Sequence, residues 1–198
     1  MTDQELASGF ALLDAATIFD CNERAGDMGP DVHALFRGAR VAGPAFTVKC
    51  PPGDLTPVRR AVDEAPPGSV LVIECGGHPE AAVWGGAGSI AAQRRGLAGV
   101  VTNGRTRDSA EIIGLGFSVF CAGTSVRGAT RLQPGSTGVE VTVGGIRVHP
   151  GDFIVGDDDG VVVVARDRAA VVLELARKKS QAQAAREDRL RAGERYDI

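Results

Sequence analysis

Aromatic residues are scarce, at 5% of 198 residues, while glycine is abundant at 27. That combination implies many tight turns and close backbone approaches. An excess of positive charge is also missing. Lys and Arg number 22 against 25 Asp and Glu, for a formal net charge of -3. Nucleic-acid binders normally carry a basic patch or stripe, so no nucleic-acid partner is expected. No apolar run approaches the roughly 20 residues of a membrane-spanning helix, so no membrane partner is expected either. The N-terminus lacks a basic stretch followed by an apolar one, so a secretory signal is not expected. Cysteine is limited to Cys21, Cys50, Cys75 and Cys121, with no C-x-x-C pair. This weakens zinc-ribbon and thioredoxin readings. A soluble protein of the reducing cytoplasm with free thiols is the simplest expectation.

Hydrophobic residues make up 43% and charged residues 24%, within the globular range. Leu6, Phe10, Leu13 and Ile18 fall on an apolar stripe that predicts a helix over 5–25, ended by Gly26 and Gly29-Pro30. Strands are expected at 41–49, 69–74, 97–102 and 117–121, and helices at 56–65, about 89–95 and from near Asp108. A glycine-rich loop, Gly76 to Gly88, precedes the second of those helices. Strand–helix alternation of this kind points to an α/β fold with parallel pairing in its middle. The second half changes to short strands at 138–143, 146–148, 153–156 and 161–164, with Gly144-Gly145 as a hairpin turn. Asp157-Asp158-Asp159-Gly160 lacks the distal Glu of a calcium loop and reads as a turn. A charged helical tail covers about 168–198, with Val171, Val172 and Leu175 able to dock. No repeat or linker divides the chain, so one domain over 1–198 is expected.

Chemistry concentrates in Trp84–Glu111, WGGAGSIAAQRRGLAGVVTNGRTRDSAE. Glycines before a helix expose backbone amides that suit an anion, helped by the helix dipole. Arg107-Asp108 follows a buried strand, at the end where α/β sheets place ligands. An Arg beside an Asp offers a carboxylate clamp and a hard oxygen ligand for a divalent metal. Spacing alone leaves a second reading open, in which Asp108 caps a helix and Arg107 lies on the surface. His33, His78 and His149 show no metal spacing; His78, in the glycine loop, is the one placed to carry a proton. Cys75 ends a strand with no base in evidence and reads as a buried thiol.

Four segments in order, RVAGPA from Arg40, GLAGVV from Gly96, GRTRD from Gly104 and GDDDGVVVV from Gly156, resemble the landmarks of the RraA-like family. Its members include metal-dependent 4-hydroxy-4-methyl-2-oxoglutarate/4-carboxy-4-hydroxy-2-oxoadipate aldolases that also decarboxylate oxaloacetate. They also include RraA, a non-catalytic regulator of ribonuclease E. The methyltransferase label carried by some members finds no glycine-rich nucleotide loop here. The resemblance implies a three-layer swivelling β/β/α-type fold, assembled as a homotrimer or hexamer with sites between subunits. It implies a small 2-oxo acid as substrate, cleaved to pyruvate plus an oxo compound, with Mg2+ or Mn2+ as cofactor. The family's metal-binding Asp falls on Asp108 and its substrate-binding Arg on Arg107. Its carboxylate-holding amides fall at Gly85, Gly86, Ala87 and Gly88. Regulator-type members tend to lose the Asp of the Arg-Asp pair, which this chain keeps. Two positions depart from the aldolase pattern: Gly86 stands where a carboxylate is usual, and Leu55 where Asn is favoured.

Overall fold

The computed structural model describes residues 1–76 and 80–196. His78 lies outside the described residues. The N-terminal stripe forms two helices in place of the expected one, α1 (Asp3–Phe10) and α2 (Ala15–Cys21). A reciprocal capping box opens α1, with Glu5 N donating to Thr2 Oγ1 at 3.2 Å and Thr2 N to Glu5 Oε2 at 2.7 Å. The break before α2 comes from Asp14, which accepts from Thr17 N at 2.7 Å. A side chain that satisfies first-turn donors favours a new helix start over continuation. Leu6, Phe10, Leu13 and Ile18 are buried all the same.

The middle of the chain follows the expected alternation. It runs β1 (His33–Ala34), β2 (Val41–Lys49), α3 (Thr56–Glu64), β3 (Val70–Glu74), β4 (Ala82–Trp84) and α4 (Gly86–Arg94). It continues with β5 (Gly99–Thr102), β6 (Arg105–Thr106), α5 (Ser109–Leu115) and β7 (Val119–Cys121). Parallel pairing joins β2 to β3, β3 to β5 and β5 to β7. Buried on both faces, such strands need continuous apolar runs, and Val70–Ile73 and Gly99–Thr102 are fully buried.

The second half adds β8 (Ser136–Thr137), β9 (Val141–Val143), β10 (Ile146–Val148), β11 (Phe153–Asp157), β12 (Gly160–Val164) and α6 (Ala169–Arg191). The main sheet is mixed, in the order β1-β7-β5-β3-β2-β11-β12, with β8 on β2. Its end strands β1 and β12 touch, so the sheet is nearly closed. Helices α3, α4 and α5 share one apolar cluster with it, the β9–β10 hairpin a second, and α1, α2 and α6 a third. Gly144 and Gly145, at φ 56° and 80°, make the hairpin turn between β9 and β10. The Asp157–Gly160 segment is the β11–β12 turn, and Asp157 Oδ2 accepts from Ala15 N at 2.8 Å.

Helix α6 docks through Ala169, Val172, Leu173 and Ala176, while Val171 and Leu175 stay exposed. The docking stripe is therefore one position out of phase with the expected one. The phase is set by Leu173 at Gly9, where a Cβ would lie 2.6 Å from Leu173 Cδ2. All four cysteines are free thiols, and burial pushes Cys50 up to about 12. No helix among the described residues is long and apolar enough to cross a membrane.

Candidate active site

Two separate segments of the chain meet through a short parallel ladder. β4 pairs with β6, Ala82 with Arg105 and Trp84 with Thr106, and Arg107 N donates to Trp84 O at 3.1 Å. The residues that follow each strand, Gly85–Gly88 and Arg107-Asp108, therefore emerge side by side. Neither strand was expected from sequence, because three residues and two residues are too short to carry a period.

Gly86, Ala87 and Gly88 are the first turn of α4, where a loop was expected, with Gly85 as N-cap. Helix propensity disfavours glycine here. The start is fixed by Trp84, whose Nε1 donates to the buried Ser89 Oγ at 2.8 Å and whose ring stacks on Phe117 at 6.2 Å. First-turn amides have no carbonyl within their own helix, so the turn presents N–H donors at its end. One of them, Gly86 N, donates to Asp108 Oδ2 at 3.2 Å.

Asp108 occupies the N-cap position of α5 without capping it. Its backbone is left-handed, φ 57° and ψ 36°, and no amide of its own helix bonds to its side chain. Left-handed non-glycine residues cost roughly 1–3 kcal/mol and gather at functional sites. The carboxylate turns to the start of α4, 3.6 Å from Arg107 Nε, and both side chains are 45% exposed. Two of the three glycines at the site are required by space and not by backbone angle. A Cβ on Gly85 would lie 3.0 Å from Asp108 Oδ2, and one on Gly128 would lie 2.9 Å from Arg107 Nη1. The third, Gly86, faces a carboxylate. Its Cβ would lie 1.8 Å from Glu111 Oε2, so the space at position 86 already holds an acid reaching back from α5.

These groups border a pocket of about 320 Å³. One wall is Trp84, Gly85, Ala87, Gly88, Arg107 and Asp108; the other is α3 and Arg131. The loop carrying Arg131 is tied down by Asp54, a fully buried residue. Asp54 Oδ2 accepts from Thr130 Oγ1 at 2.8 Å, Leu132 N at 2.6 Å and Gln133 N at 3.3 Å, and Oδ1 accepts from Thr56 N at 2.8 Å. Burial raises the pKa of this carboxyl, but the bonds from Leu132, Thr56 and Thr130 more than reverse it. They hold the group well below the usual carboxylate range.

The structure thus brings together Arg107, Asp108, Gly85, Gly86, Ala87 and Gly88. It adds Trp84, Glu111, Asp54, Arg59 and Arg131. Glu111 follows Asp108 by one helical turn, a spacing visible in the sequence; Arg59 and Arg131 carry no sequence signal, since only the fold sets them on one wall. His33 and His149 lie elsewhere, and His149 Nε2 pairs with Glu140 Oε2 at 2.9 Å. Among the described residues no cluster of three or more His, Cys, Asp or Glu could enclose a metal. Asp108 and Glu111 fit a looser mode, since Mg2+ keeps several waters and takes one or two carboxylates.

The chain is 34% identical over 178 residues to a Halalkalibacterium halodurans protein named "Putative 4-hydroxy-4-methyl-2-oxoglutarate aldolase", covering 90% of this chain and 85% of that one. A Burkholderia multivorans protein of the same name is 40% identical over 127 residues, 64% of this chain and 77% of that one. The crystal structure of Streptomyces coelicolor RraAS2, described as an unusual member of the RNase ES inhibitor RraA protein family, superposes with a TM-score of 0.85 at 30% identity. That match covers 94% of this chain and 97% of the other. The sequence model of the RraA-like family (Aldolase/RraA) matches residues 11–163, so this chain belongs to the RraA-like family.

Proposed function

We propose that the chain is a divalent-metal-dependent carbon–carbon lyase that cleaves a 4-hydroxy-2-oxo acid to pyruvate and an oxo compound. Oxaloacetate decarboxylation is the companion reaction, because it passes through the same enolate. The observation that carries this reading is Asp108: strained, half-exposed, uncommitted to its own helix, and set beside Arg107 and the first turn of α4. The aldolase names of relatives at 34% and 40% identity support it.

Asp108, with Glu111 beside it, would hold Mg2+ or Mn2+ together with water. A cation there supplies Lewis-acid polarisation of the substrate's 2-oxo group. The amides of Ala87 and Gly88 receive the substrate carboxylate at the positive end of α4. Arg107 places a planar guanidinium against the developing enolate oxygen. In the cleavage the 4-hydroxyl loses its proton and the C3–C4 bond breaks. The bonding pair moves into the C2–C3 enolate, and protonation at C3 then releases pyruvate. The Trp84–Glu111 segment contains no lysine, so a Schiff base has no candidate there. A homotrimer or hexamer, with the pocket completed by a neighbouring subunit, belongs to the same reading. Light scattering should give at least three times the 20.5 kDa chain mass.

The test is pyruvate release from a panel of 4-hydroxy-2-oxo acids and oxaloacetate, with and without a chelator. Turnover that stops with chelator and returns with Mg2+ is expected. Inertness towards every acid in the panel rejects the lyase and leaves a binding role, of the inhibitor kind named for the family of the Streptomyces neighbour.

A further inference from the structure

The lyase chemistry needs one wall of the pocket. The opposite wall carries two cations that it leaves unused. Arg59 and Arg131 both line the cavity. Among the described residues neither side chain has an ion-pair or hydrogen-bond partner. Their sequence neighbours behave differently. Arg60 pairs with Glu64 at 3.3 Å, and Arg127 pairs with Glu80. Among the described residues of that wall, Asp63, one turn along α3 from Arg59, is the one acid, so the wall keeps a net positive charge.

Arg131 is also held in place. Thr130 on one side of it, and Leu132 and Gln133 on the other, all donate to the buried Asp54 carboxylate. A cation on a pinned backbone loses little freedom on binding, which is how preorganised sites gain affinity. Between this wall and Arg107 the lining is apolar, with Leu55, Val58 and Trp84. Such a surface suits a short carbon chain and not a hydrated charge.

We infer that Arg59 and Arg131 form a second anion subsite, so that the pocket selects 2-oxo acids carrying a distal carboxylate over uncharged analogues of equal length. The inference rests on the proposed reading only for which end of the ligand lies at Arg107 and Asp108. Two like charges on one wall repel each other, and a carboxylate between them removes that repulsion while accepting charge-assisted hydrogen bonds. A volume of about 320 Å³ sits at the small end of ligand pockets, which limits the ligand to a few carbons.

The experiment is calorimetric titration with two five-carbon probes, 2-oxoglutarate and 2-oxopentanoate, in buffer containing Mg2+. They differ only in whether the far end is a carboxylate or a methyl group. The wild type should bind 2-oxoglutarate at least about tenfold more tightly. That ratio should fall towards one in Arg59→Gln/Arg131→Gln and be largely kept in Arg59→Lys. A wild type that does not prefer 2-oxoglutarate, whether both probes bind alike or neither binds, overturns the subsite. So does a ratio that survives the double substitution. The lyase reading is judged separately by pyruvate release. Discrimination without turnover keeps the subsite and removes the lyase; turnover without discrimination does the reverse.

Discussion

Asp54 and Asp108 both follow a glycine-rich turn after a strand, and their surroundings are opposite. Asp54 is fully buried and accepts four hydrogen bonds from a loop and a helix start. Asp108 is half-exposed, accepts one amide bond and sits in a strained backbone. A saturated carboxylate holds the chain together and has nothing left for a ligand. An unsaturated one, kept in a costly conformation, has lone pairs to offer. Stability therefore belongs to the first residue and chemistry to the second.

The comparison is tested most severely by removing the charge from each. Asp108→Asn keeps the shape and tolerates the left-handed backbone. It should abolish pyruvate release, by roughly three orders of magnitude or more, as expected when a Lewis acid is lost. Thermal stability should move by less than about 1 kcal/mol. Asp54→Ala should instead destabilise the fold by about 3 kcal/mol, because several donors lose a charged acceptor. Denaturant titration of both variants separates the two roles, and a large stability loss in Asp108→Asn would break the contrast.

The depressed pKa of Asp54 gives a pH signature. Its folded value lies below its unfolded value, so its contribution is complete above about pH 4 and is lost as pH falls below it. Unfolding free energy measured from about pH 6 down to about pH 2 should decline at the acid end. The decline should be shallower in Asp54→Asn.

Arg107→Lys keeps the charge and loses the planar fork. It should cost roughly 3 kcal/mol of transition-state stabilisation, read as kcat/KM for pyruvate release. Glu111→Gln should weaken Mg2+ binding by about tenfold, the scale of a supporting carboxylate. The smallest effect concerns Gly86. An aspartate there would restore the carboxylate usual in the family's aldolases, but Glu111 Oε2 occupies that space. Gly86→Asp alone should therefore leave activity within about twofold, because a flexible side chain can swing away at little cost. In a Glu111→Ala background the same change should recover part of the lost Mg2+ affinity. Recovery that fails there would mean that the two positions do not share one role.

Much of the fold was legible because long elements carry their own periodicity. β2 and α3 lie within a residue of where β-branched runs and proline turns put them. The misses are local and physical. Asp14 split the first helix, Leu173 against Gly9 set the phase of α6, and β4 and β6 were too short to read. At the site, Arg107 and Asp108 were legible from their place after a buried strand. That Asp108 would decline its cap was not, since the residue type and position both favour capping. Glu111 standing in the space at Gly86 was invisible for a different reason: it depends on how α5 leaves Asp108 relative to the start of α4.

The central claim, that Asp108 and not Asp54 is the available carboxylate, reduces to one measurement: Mn2+ affinity by calorimetry for the wild type and Asp108→Asn. The account predicts a loss of at least about tenfold in the variant; equal affinities in the two proteins contradict it.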